Sequence, residues 1–386
     1  MYNVLYLCHD PHLIGGSLLS AKNLIHAVSA NGEVKATVLI AECGVASRYL
    51  EEQGIEVFVC RFENNVRHPR LWVHCLHFLP KLLRNAIVNR RCLSRLHEHF
   101  GATGFDIVHT NTSLITFGMQ VARSFGARHV WHLREFQDID FNLTPFLGWR
   151  HLRRQIAESD AAIAISQAIF EHWRLDSHKN AVCLWDAVCR KDDVRLVLPK
   201  RPYFLLCAAL LNHAKGVDTA IRAFAQSELA SQGYKLRLTG RIEGDADRKF
   251  IDDLIAANGL QDSVELPGFC SDIRETVSQA TAFLMCSQNE GLGRVTVEAM
   301  FYGCPVIARR SGGTLDFIRD GETGLLFDTD EACARLMQAM AERSPLEMVQ
   351  RAQQFAIGHF SEEGYGLRIL QLYRTLHSGE FTKPSV

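Results

Sequence analysis

The segment "TAFLMCSQNEGLGRVTVEAMFYGCPVIARRSGG" (residues 281–313) contains two apolar runs with a helical pattern between them. The first run (281–287) ends in a loop that glycines interrupt, and the second (304–310) ends just before a glycine pair. Between them, residues 294–303 have the pattern of a helix that stops at a glycine. This order of strand, helix and strand is typical of a βαβ unit in a parallel sheet.

The same alternation extends over most of the chain. The apolar runs of the first half are 3–8, 33–40, 55–60, 105–110, 127–133 and 161–166. Those of the second half are 181–188, 203–211, 234–240, 263–268, 281–287 and 304–310. Two sheets of ordinary size explain these runs better than a single very large sheet. The sequence therefore predicts an α/β fold with two Rossmann-like, doubly wound domains.

A charged, proline-containing segment near residues 175–200 marks the predicted domain boundary. We expect an N-terminal domain over 1–178 and a C-terminal domain over 179–360. Apolar residues recur at helical spacing in the tail: Leu367, Leu370, Tyr373 and Leu376. This spacing predicts a helix at about 361–378 that packs back on the N-terminal domain.

Composition restricts the classes of protein to which the chain can belong. Of its 386 residues, 47% are hydrophobic and 22% are charged, as in a soluble globular protein. The net charge of −1 provides no global attraction for nucleic acid. The 12 cysteines form no CxxC pair, which predicts buried thiols in a reducing compartment. Without a signal-like leader or a membrane-spanning run, we expect a cytoplasmic protein, either free or peripheral on the inner face of the membrane.

Polar residues and glycines follow many of the predicted strands. They are Gly15-Gly16, His109, His132, Lys215-Gly216, Gly240-Arg241, Glu290 and Gly312-Gly313. Ligands of doubly wound sheets bind beyond the carboxyl ends of the strands. We therefore expect these residues to face one central cleft.

Glu290 and Glu298 flank the glycine-broken loop and the start of the next predicted helix. Backbone N–H groups at such a helix start favour a diphosphate, and the glycines allow it to come close. A carboxylate before the helix can accept hydrogen bonds from sugar hydroxyls, while one within the helix can hold a ribose. The spacing alone is also compatible with a solvated surface position for Glu298.

A set of motifs occurs in order along nearly the whole chain. They are "GG" (15–16), "DIVHTN" (106–111), "HLRE" (132–135), "AKGVDTAIRAF" (214–224), "VELPGF" (264–269), "EGLGRVTVEAMFYGCPVIA" (290–308) and "SGGTLDFIRDGETGLLF" (311–327). In this set the chain resembles the retaining glycosyltransferases of family 4. The resemblance implies the GT-B architecture, in which two Rossmann-like domains face a central cleft.

The resemblance also implies roles for individual residues. Lys215 resembles the lysine that neutralises the diphosphate, Glu290 the glutamate that binds the donor sugar, and Glu298 the one that holds the ribose. Gly15 and Gly16 resemble the loop that approaches the phosphates or the acceptor. His132 resembles the histidine beside the reacting sugar.

The remaining candidates complete this expectation. Gly291, Leu292, Gly293 and Arg294 belong to the donor-binding loop. His109 and Glu135 are candidates for contact with the acceptor or for support of the site. Taken singly, His109 and His132 could equally be structural, since a histidine at a strand end can bond a neighbouring carbonyl.

The chain departs from the family pattern at two positions. Leu210 stands where an arginine usually joins Lys215 on the phosphates, and we expect Arg294 or Arg241 to replace it. Asp316 stands where a glutamate is more usual, so the carboxylate at this position is on a shorter side chain.

The segment 68–100 has six Arg or Lys and one acid, Glu98, interleaved with large apolar residues. This composition is typical of a helix at an anionic membrane surface. A core-packed helix with a solvated basic face would have the same composition.

The resemblance implies a metal-independent, retaining glycosyltransferase that uses a UDP- or GDP-linked sugar, with no further cofactor. If 68–100 binds membrane, the acceptor would be a lipid-linked sugar, as in the synthesis of bacterial surface polysaccharide, such as lipopolysaccharide, O-antigen or capsule. A sugar-nucleotide epimerase and a catalytically inactive, carbohydrate-binding relative remain alternatives. A nicotinamide-dependent dehydrogenase fits poorly, because no GxGxxG follows a strand.

Overall fold

A computed structural model describes residues 1–9, 15–30, 32–343 and 345–378. The chain divides into two compact units. Unit 1 comprises Met1–Ala187 and the C-terminal segment from Glu362, and unit 2 comprises Val188–Ser361. The change of unit thus follows Ala187 rather than residue 178, because residues 181–183 pair with the first sheet.

The first sheet is parallel and has seven strands. They are Tyr2–Cys8 (β1), Val34–Ile40 (β2), Glu56–Val59 (β3), Ile107–Thr110 (β4), Arg128–Leu133 (β5), Ala161–Ala164 (β6) and Ala181–Cys183 (β7). Their spatial order is β3-β2-β1-β4-β5-β6-β7. The topology therefore reverses between β1 and β4, which is where doubly wound sheets bind ligands.

The second sheet is parallel and has six strands. They are Arg201–Leu210 (β8), Lys235–Arg241 (β9), Val264–Gly268 (β10), Ala280–Met285 (β11), Val306–Arg309 (β12) and Leu325–Phe327 (β13). Their spatial order is β10-β9-β8-β11-β12-β13, with the reversal between β8 and β11. The predicted doubly wound α/β fold is confirmed in both units.

Helices surround both sheets. In the described residues they are Gly16–Ser29 (α1), Val45–Glu52 (α2), Leu71–Phe100 (α3), Phe117–Phe125 (α4), Asp138–Phe141 (α5), Trp149–Ala157 (α6), Gln167–His172 (α7), Val217–Gln226 (α8), Gly244–Ala257 (α9), Arg274–Gln279 (α10), Arg294–Phe301 (α11), Asp330–Glu342 (α12), Leu346–Phe360 (α13) and Glu362–Ser378 (α14). Within the described ranges, no helix combines the length and the apolarity that crossing a membrane requires.

The core of unit 1 follows from the alternation of side chains along β1. Val4 and Tyr6 belong to the cluster that α1 and α14 cover. Leu5 and Leu7 belong to the opposite cluster, together with residues from the second half of α3 and from α4. Since both faces of this parallel strand are buried, β1 is continuously apolar from residue 4 to residue 8 rather than alternating.

Helix α14 packs on α1 in unit 1. A Cβ atom at Gly366 would lie 2.4 Å from the carbonyl oxygen of Ala27, so the two backbones are in direct contact. The buried face is centred on Tyr365, Ile369 and Tyr373. Leu367 was predicted to share this face but is 58% exposed, because it lies on the opposite side of the helix.

Candidate active site

In unit 2, Lys215 is held by a short 3-10 turn directly after β8. The side-chain oxygen of Asn212 caps this turn by accepting a hydrogen bond from the Lys215 backbone N–H at 3.1 Å. The next residue, Gly216, has φ of +70°, and a Cβ there would lie 2.1 Å from the carbonyl oxygen of Cys286. Only glycine therefore lets this turn lie against the end of β11.

This turn brings Lys215 to Glu290. The Lys215 Nζ lies 2.9 Å from Glu290 Oε2, and the two side chains are 34% and 21% exposed. They follow β8 and β11, the two strands between which the topology reverses. An ammonium that can bind phosphate oxygens and a carboxylate that can accept hydroxyl hydrogens thus occupy the expected ligand position of this sheet.

The glycine pair after β12 positions the backbone of Glu290. Gly312 has φ of +65°, and a Cβ there would lie 2.7 Å from both the nitrogen and the oxygen of Glu290. The Gly313 N–H donates to the Glu290 carbonyl at 2.7 Å. The pair therefore fixes the Glu290 loop by close backbone packing. Asp316 ends the same 3-10 turn, which begins at Gly312.

Helix α11 follows the Glu290 loop and begins at Arg294. The preceding residue, Gly293, caps the helix with φ of +82°, a conformation that favours glycine. The Glu298 carboxylate lies 3.9 Å from the Arg294 guanidinium, and the side chains are 19% and 15% exposed. Burial raises the pKa of Glu298, and Arg294 opposes this shift. Glu298 is thus not a freely solvated surface residue.

Arg241 lies beside Leu210, the position where the resemblance implies an arginine. The two residues are register partners on β9 and β8, and the Leu211 N–H donates to the Arg241 carbonyl at 2.7 Å. The Arg241 guanidinium stacks on the ring of Phe269 at 4.5 Å from its centroid. Arg241 therefore places a positive charge at the end of the strand next to the altered position.

In unit 1, His109 and His132 join a buried hydrogen-bond chain. His109 Nε2 lies 3.0 Å from His132 Nδ1, and His109 Nδ1 lies 2.7 Å from the Tyr373 hydroxyl. The Tyr373 hydroxyl is in turn 3.0 Å from that of Tyr6. Strands β1, β4 and β5 are thereby connected to α14 by side chains that water does not reach.

Arg134 and Asp186 form a buried ion pair next to this chain. Arg134 also donates to Asn111 at 2.8 Å, and the hydroxyl of Tyr365 donates to Asp186 at 3.1 Å. Such a pair needs further hydrogen bonds because each buried charge loses its hydration. Helix α14 therefore supplies one of the partners that keep the pair satisfied.

The contacts of Arg134 fix the protonation of the two histidines. Arginine can only donate, so His132 Nδ1, which lies 3.2 Å from Arg134, is an acceptor. His109 Nε2 must then carry a proton, and His109 Nδ1 accepts from Tyr373. Burial and Arg134 lower the pKa of His132 to about 4, so its ring is neutral at neutral pH, with the proton on Nε2.

The free end of this chain is His132 Nε2. It lies 3.4 Å from Asp186 Oδ1, and this carboxylate opposes the lowering of the His132 pKa by burial. A neutral histidine with a protonated Nε2 is a hydrogen-bond donor at this atom, not a base.

Glu135 and the Gly15-Gly16 pair occupy structural positions near these strand ends. Glu135 Oε1 accepts from the Thr112 hydroxyl at 2.5 Å and from the Ser113 N–H at 2.6 Å. Glu135 thereby anchors the loop after β4, and contact with an acceptor stays a prediction. Gly15 caps α1 and Gly16 begins it, while residues 10–14 lie outside the described part of the chain.

Four members of the unit 1 network were not predicted from the sequence. They are Arg134, Asp186, Tyr365 and Tyr373. One signal was available, since Asp186 is a charge inside the apolar run 181–188 and a buried charge requires a partner. The partner itself could not be predicted from the sequence, because it follows a different strand, β5.

The two doubly wound units and their polar strand ends define the class of GT-B proteins. The fold is shared with HepE of Anabaena, solved in complex with UDP and glucose, with a TM-score of 0.79 at 19% identity over 98% of this chain and 100% of that chain. Two family profiles match, Glycosyltransferase Family 4 at residues 46–181 and Glycosyl transferases group 1 at residues 190–357. The chain belongs to this glycosyltransferase family.

Curated relatives carry related names. The lipopolysaccharide core biosynthesis glycosyltransferase LpsE of Rhizobium meliloti is 32% identical over 41% of this chain and 46% of its own length. A D-inositol 3-phosphate glycosyltransferase of Arthrobacter is 32% identical over 66% of this chain and 65% of its own length. The chain thus spans about half to two thirds of the length of these relatives.

Proposed function

We propose that the chain is a retaining, metal-independent glycosyltransferase that uses a UDP- or GDP-linked sugar as donor. The observation that carries this proposal is the Lys215–Glu290 pair, with 2.9 Å between the ammonium and the carboxylate, at the topological switch of the second sheet. Membership of the family supplies the reaction class. HepE, which shares the fold, has been solved with UDP-glucose.

The proposed chemistry depends on charge that develops on the leaving diphosphate. Lys215 and Arg241 stabilise this charge, together with the loop Gly291–Arg294 and the first N–H groups of α11. Glu290 accepts hydrogen bonds from hydroxyls of the donor sugar, and Glu298 accepts those of the ribose. In the front-face displacement expected for this family, a leaving phosphate oxygen takes the acceptor proton, so no protein base is assigned.

The unit 1 network has a positioning role in this proposal. His132 is the proposed histidine beside the reacting sugar, and His109 fixes its tautomer. Glu135 orders the loop after β4, while Gly15 and Gly16 open α1 near the substrate. Asp316 takes the place of the more usual glutamate in the donor loop.

The proposed acceptor is a lipid-linked sugar of a bacterial surface polysaccharide, and the protein works as a peripheral protein on the inner membrane face. The names of LpsE and of the putative colanic acid biosynthesis glycosyltransferase WcaL of Salmonella typhimurium support this pathway class. WcaL is 26% identical over 46% of this chain and 46% of its own length.

Release of nucleoside diphosphate is the test. A transferase releases UDP or GDP when both sugar nucleotide and acceptor are present, and chelation by EDTA leaves the rate unchanged. Isomerised sugar nucleotide without acceptor would identify an epimerase instead. Nucleotide binding without either reaction, over a panel of donors and acceptors, would identify an inactive relative. Lys215→Met is the matched variant, in which release should fall at least about a hundredfold because the leaving-group charge loses its cation.

A further inference from the structure

Helix α3 presents a continuous apolar face to solvent. Its exposed residues are Trp72 (65%), Leu76 (68%), Leu79 (66%), Leu83 (63%) and Ile87 (52%). Their spacing of three or four residues places them all on one side of the helix. Scattered exposed apolar residues are common, but a contiguous stripe of this kind marks an interaction surface.

The structure thereby distinguishes between the two interpretations that the sequence left open for residues 68–100. A core-packed helix would bury its large apolar residues and expose its basic ones. In α3, the buried residues are instead Asn89, Cys92, Leu96 and Phe100, all in the second half of the helix. The first half has an apolar face that no described part of unit 1 covers.

A pocket of about 570 Å³, bordered by basic side chains, lies on the adjoining side of the same helix. Its positively charged and imidazole side chains are Arg67, His68, His74, His77, Lys81 and Arg84. Residues 77, 81 and 84 follow the helical spacing of the apolar stripe, rotated by about a quarter of a turn. The pocket and the stripe therefore open along neighbouring strips of one helix.

The positive charge of this pocket is only partly neutralised. Glu63 pairs with Arg84 at 3.0 Å and with Arg61 at 3.6 Å. Lys81 donates to the carbonyl of Val66, a neutral partner. The Nε of Arg67 is buried and has no hydrogen-bond partner among the described residues. Within the described ranges, neither Lys81 nor Arg67 forms an ion pair with a carboxylate, so both can bind an anion in charge-assisted hydrogen bonds.

The pKa of Lys81 is consistent with such a surplus of positive charge. Burial and the neighbouring Arg84 lower this pKa, and Glu63 opposes the shift. The pKa of His74 is lowered by burial and by Arg67 and Lys81. A bound anion would relieve the repulsion that adds to the effect of burial in both shifts.

We propose that the stripe and the pocket together form a lipid-binding face of α3 that docks on an anionic bilayer, with the stripe among the acyl chains and the pocket on a lipid phosphate. An apolar strip beside cationic side chains matches a membrane surface, in which the acyl chains lie next to anionic headgroups. The lipid-binding face rests on the proposed function only for the identity of the acceptor, since docking requires no sugar transfer.

Flotation of the full-length protein with vesicles is the test. At low salt, the wild type should float with an equal mixture of phosphatidylcholine and phosphatidylglycerol, and far less with phosphatidylcholine alone. Lys81→Met should weaken partitioning about fivefold through the loss of one charge near the surface. The double variant Leu76→Ser/Leu83→Ser should weaken it more than about tenfold.

Matched variants control for general effects on charge and apolarity. Leu367→Ser changes an exposed leucine of unit 1 that lies on α14, and Lys249→Met removes an exposed lysine of α9. Both should float like the wild type. Trp72→Phe should also float but should lose most of the vesicle-dependent blue shift of tryptophan fluorescence, which identifies the face that enters the bilayer.

Several outcomes would overturn the lipid-binding face. They are failure of the wild type to float, equal partitioning to phosphatidylcholine alone, or unchanged flotation of the α3 variants. A dimer in sedimentation that the double variant dissociates would assign the stripe to a second copy of the chain. Binding of inorganic diphosphate that depends on Lys81, without flotation, would assign the pocket to a free anion.

Nucleotide binding separates this inference from the proposed function. UDP should raise the thermal stability of the wild type and of the double variant equally, because the donor candidates lie in unit 2. Flotation without any response to nucleotides would count against the transferase and leave the lipid-binding face intact.

Discussion

At the scale of the residue, Arg241 is the candidate for the phosphate contact that Leu210 cannot make. The two are register partners at the ends of adjacent strands, so Arg241 lies directly beside Leu210. We expect Arg241→Gln to weaken UDP binding by about 1.5–3 kcal/mol, or roughly tenfold or more in Kd, because a charged hydrogen bond to phosphate is lost. Titration calorimetry with UDP measures this change, and uridine, which has no phosphate, should bind both proteins equally.

Arg294→Gln is the matched comparison for Arg241. Arg294 already lies near Glu298, so its loss should weaken ribose recognition and affect uridine and UDP alike. If Arg294→Gln reduced binding of UDP alone while Arg241→Gln had no effect, the assignment of the replacement arginine to β9 would be wrong.

Gly312 tests whether backbone packing behind Glu290 matters for the site. Gly321→Ala is a control for conformation, since Gly321 also has a left-handed φ, of +76°, but no atom within 4 Å of an added Cβ. This control should cost about 1–2 kcal/mol of stability. Gly312→Ala should cost about 1–3 kcal/mol more, because its Cβ meets the Glu290 backbone.

Activity distinguishes the two glycine variants further. Displacement of Glu290 by Gly312→Ala should lower kcat, whereas Gly321→Ala should retain the kcat of the wild type. Stability is measured by urea unfolding and kcat by nucleoside diphosphate release. If both variants lost the same stability, the Glu290 loop would have moved to make room for the added Cβ with no measurable cost in free energy of unfolding.

At the scale of the element, periodicity predicted all the longer strands and left two short ones uncertain. The run that contains β7 (181–188) was grouped with the second series, because an apolar run does not indicate which sheet it joins. β13 was not predicted as a strand, because three residues are too few to show a period. For α14 the spacing indicated a helix correctly, but it placed Leu367 on the buried face because contacts with α1 cannot be read from local sequence.

Sequence motifs predicted single residues of the site but not the contacts between them. The sequence named Lys215 and Glu290 separately, but their ion pair joins residues 75 positions apart and depends on the sheet order. The Arg134–Asp186 pair and its α14 partners were missed for the same reason. The catalytic roles of Lys215 and Glu290 stay predictions. The contacts within both pairs depend on tertiary structure.

The contact between α14 and α1 gives a prediction at this scale. Gly366→Ala places a Cβ 2.4 Å from the Ala27 carbonyl and should destabilise unit 1 by about 1–3 kcal/mol. Gly358→Ala, in α13, meets no atom within 4 Å and should stabilise unit 2 by roughly 0.5–1 kcal/mol through reduced chain entropy. Urea unfolding of both variants checks these opposite signs.

At the scale of the whole molecule, the buried histidines are distributed unequally between the units. His109, His129 and His132 are fully buried in unit 1, and burial lowers the pKa of each, to about 3 for His129 and about 4 for His132. Neither described histidine of unit 2, His213 and His359, is buried. The two units should therefore respond differently to acid.

The sign of the pH effect follows from proton binding. Because the folded pKa values are depressed, the unfolded chain binds more protons below its ordinary histidine pKa of 6.5, so stability falls as the pH falls. Between about pH 7.5 and about pH 5.5, each of the three buried histidines contributes about 1.4 kcal/mol in total. From about pH 7.5 to about pH 5.5, the three together should lower the free energy of unfolding of unit 1 by about 4 kcal/mol.

Scanning calorimetry at several pH values measures this difference between the units. The transition that Gly366→Ala shifts belongs to unit 1 and should move to lower temperature on acidification, while the transition that Gly312→Ala shifts should move much less. His129→Gln, which can keep a bond to the Thr110 hydroxyl, should remove about one third of the pH dependence that His109, His129 and His132 contribute to unit 1. An equal response of both transitions would mean that carboxylates, and not the buried histidines, control the acid stability of this protein.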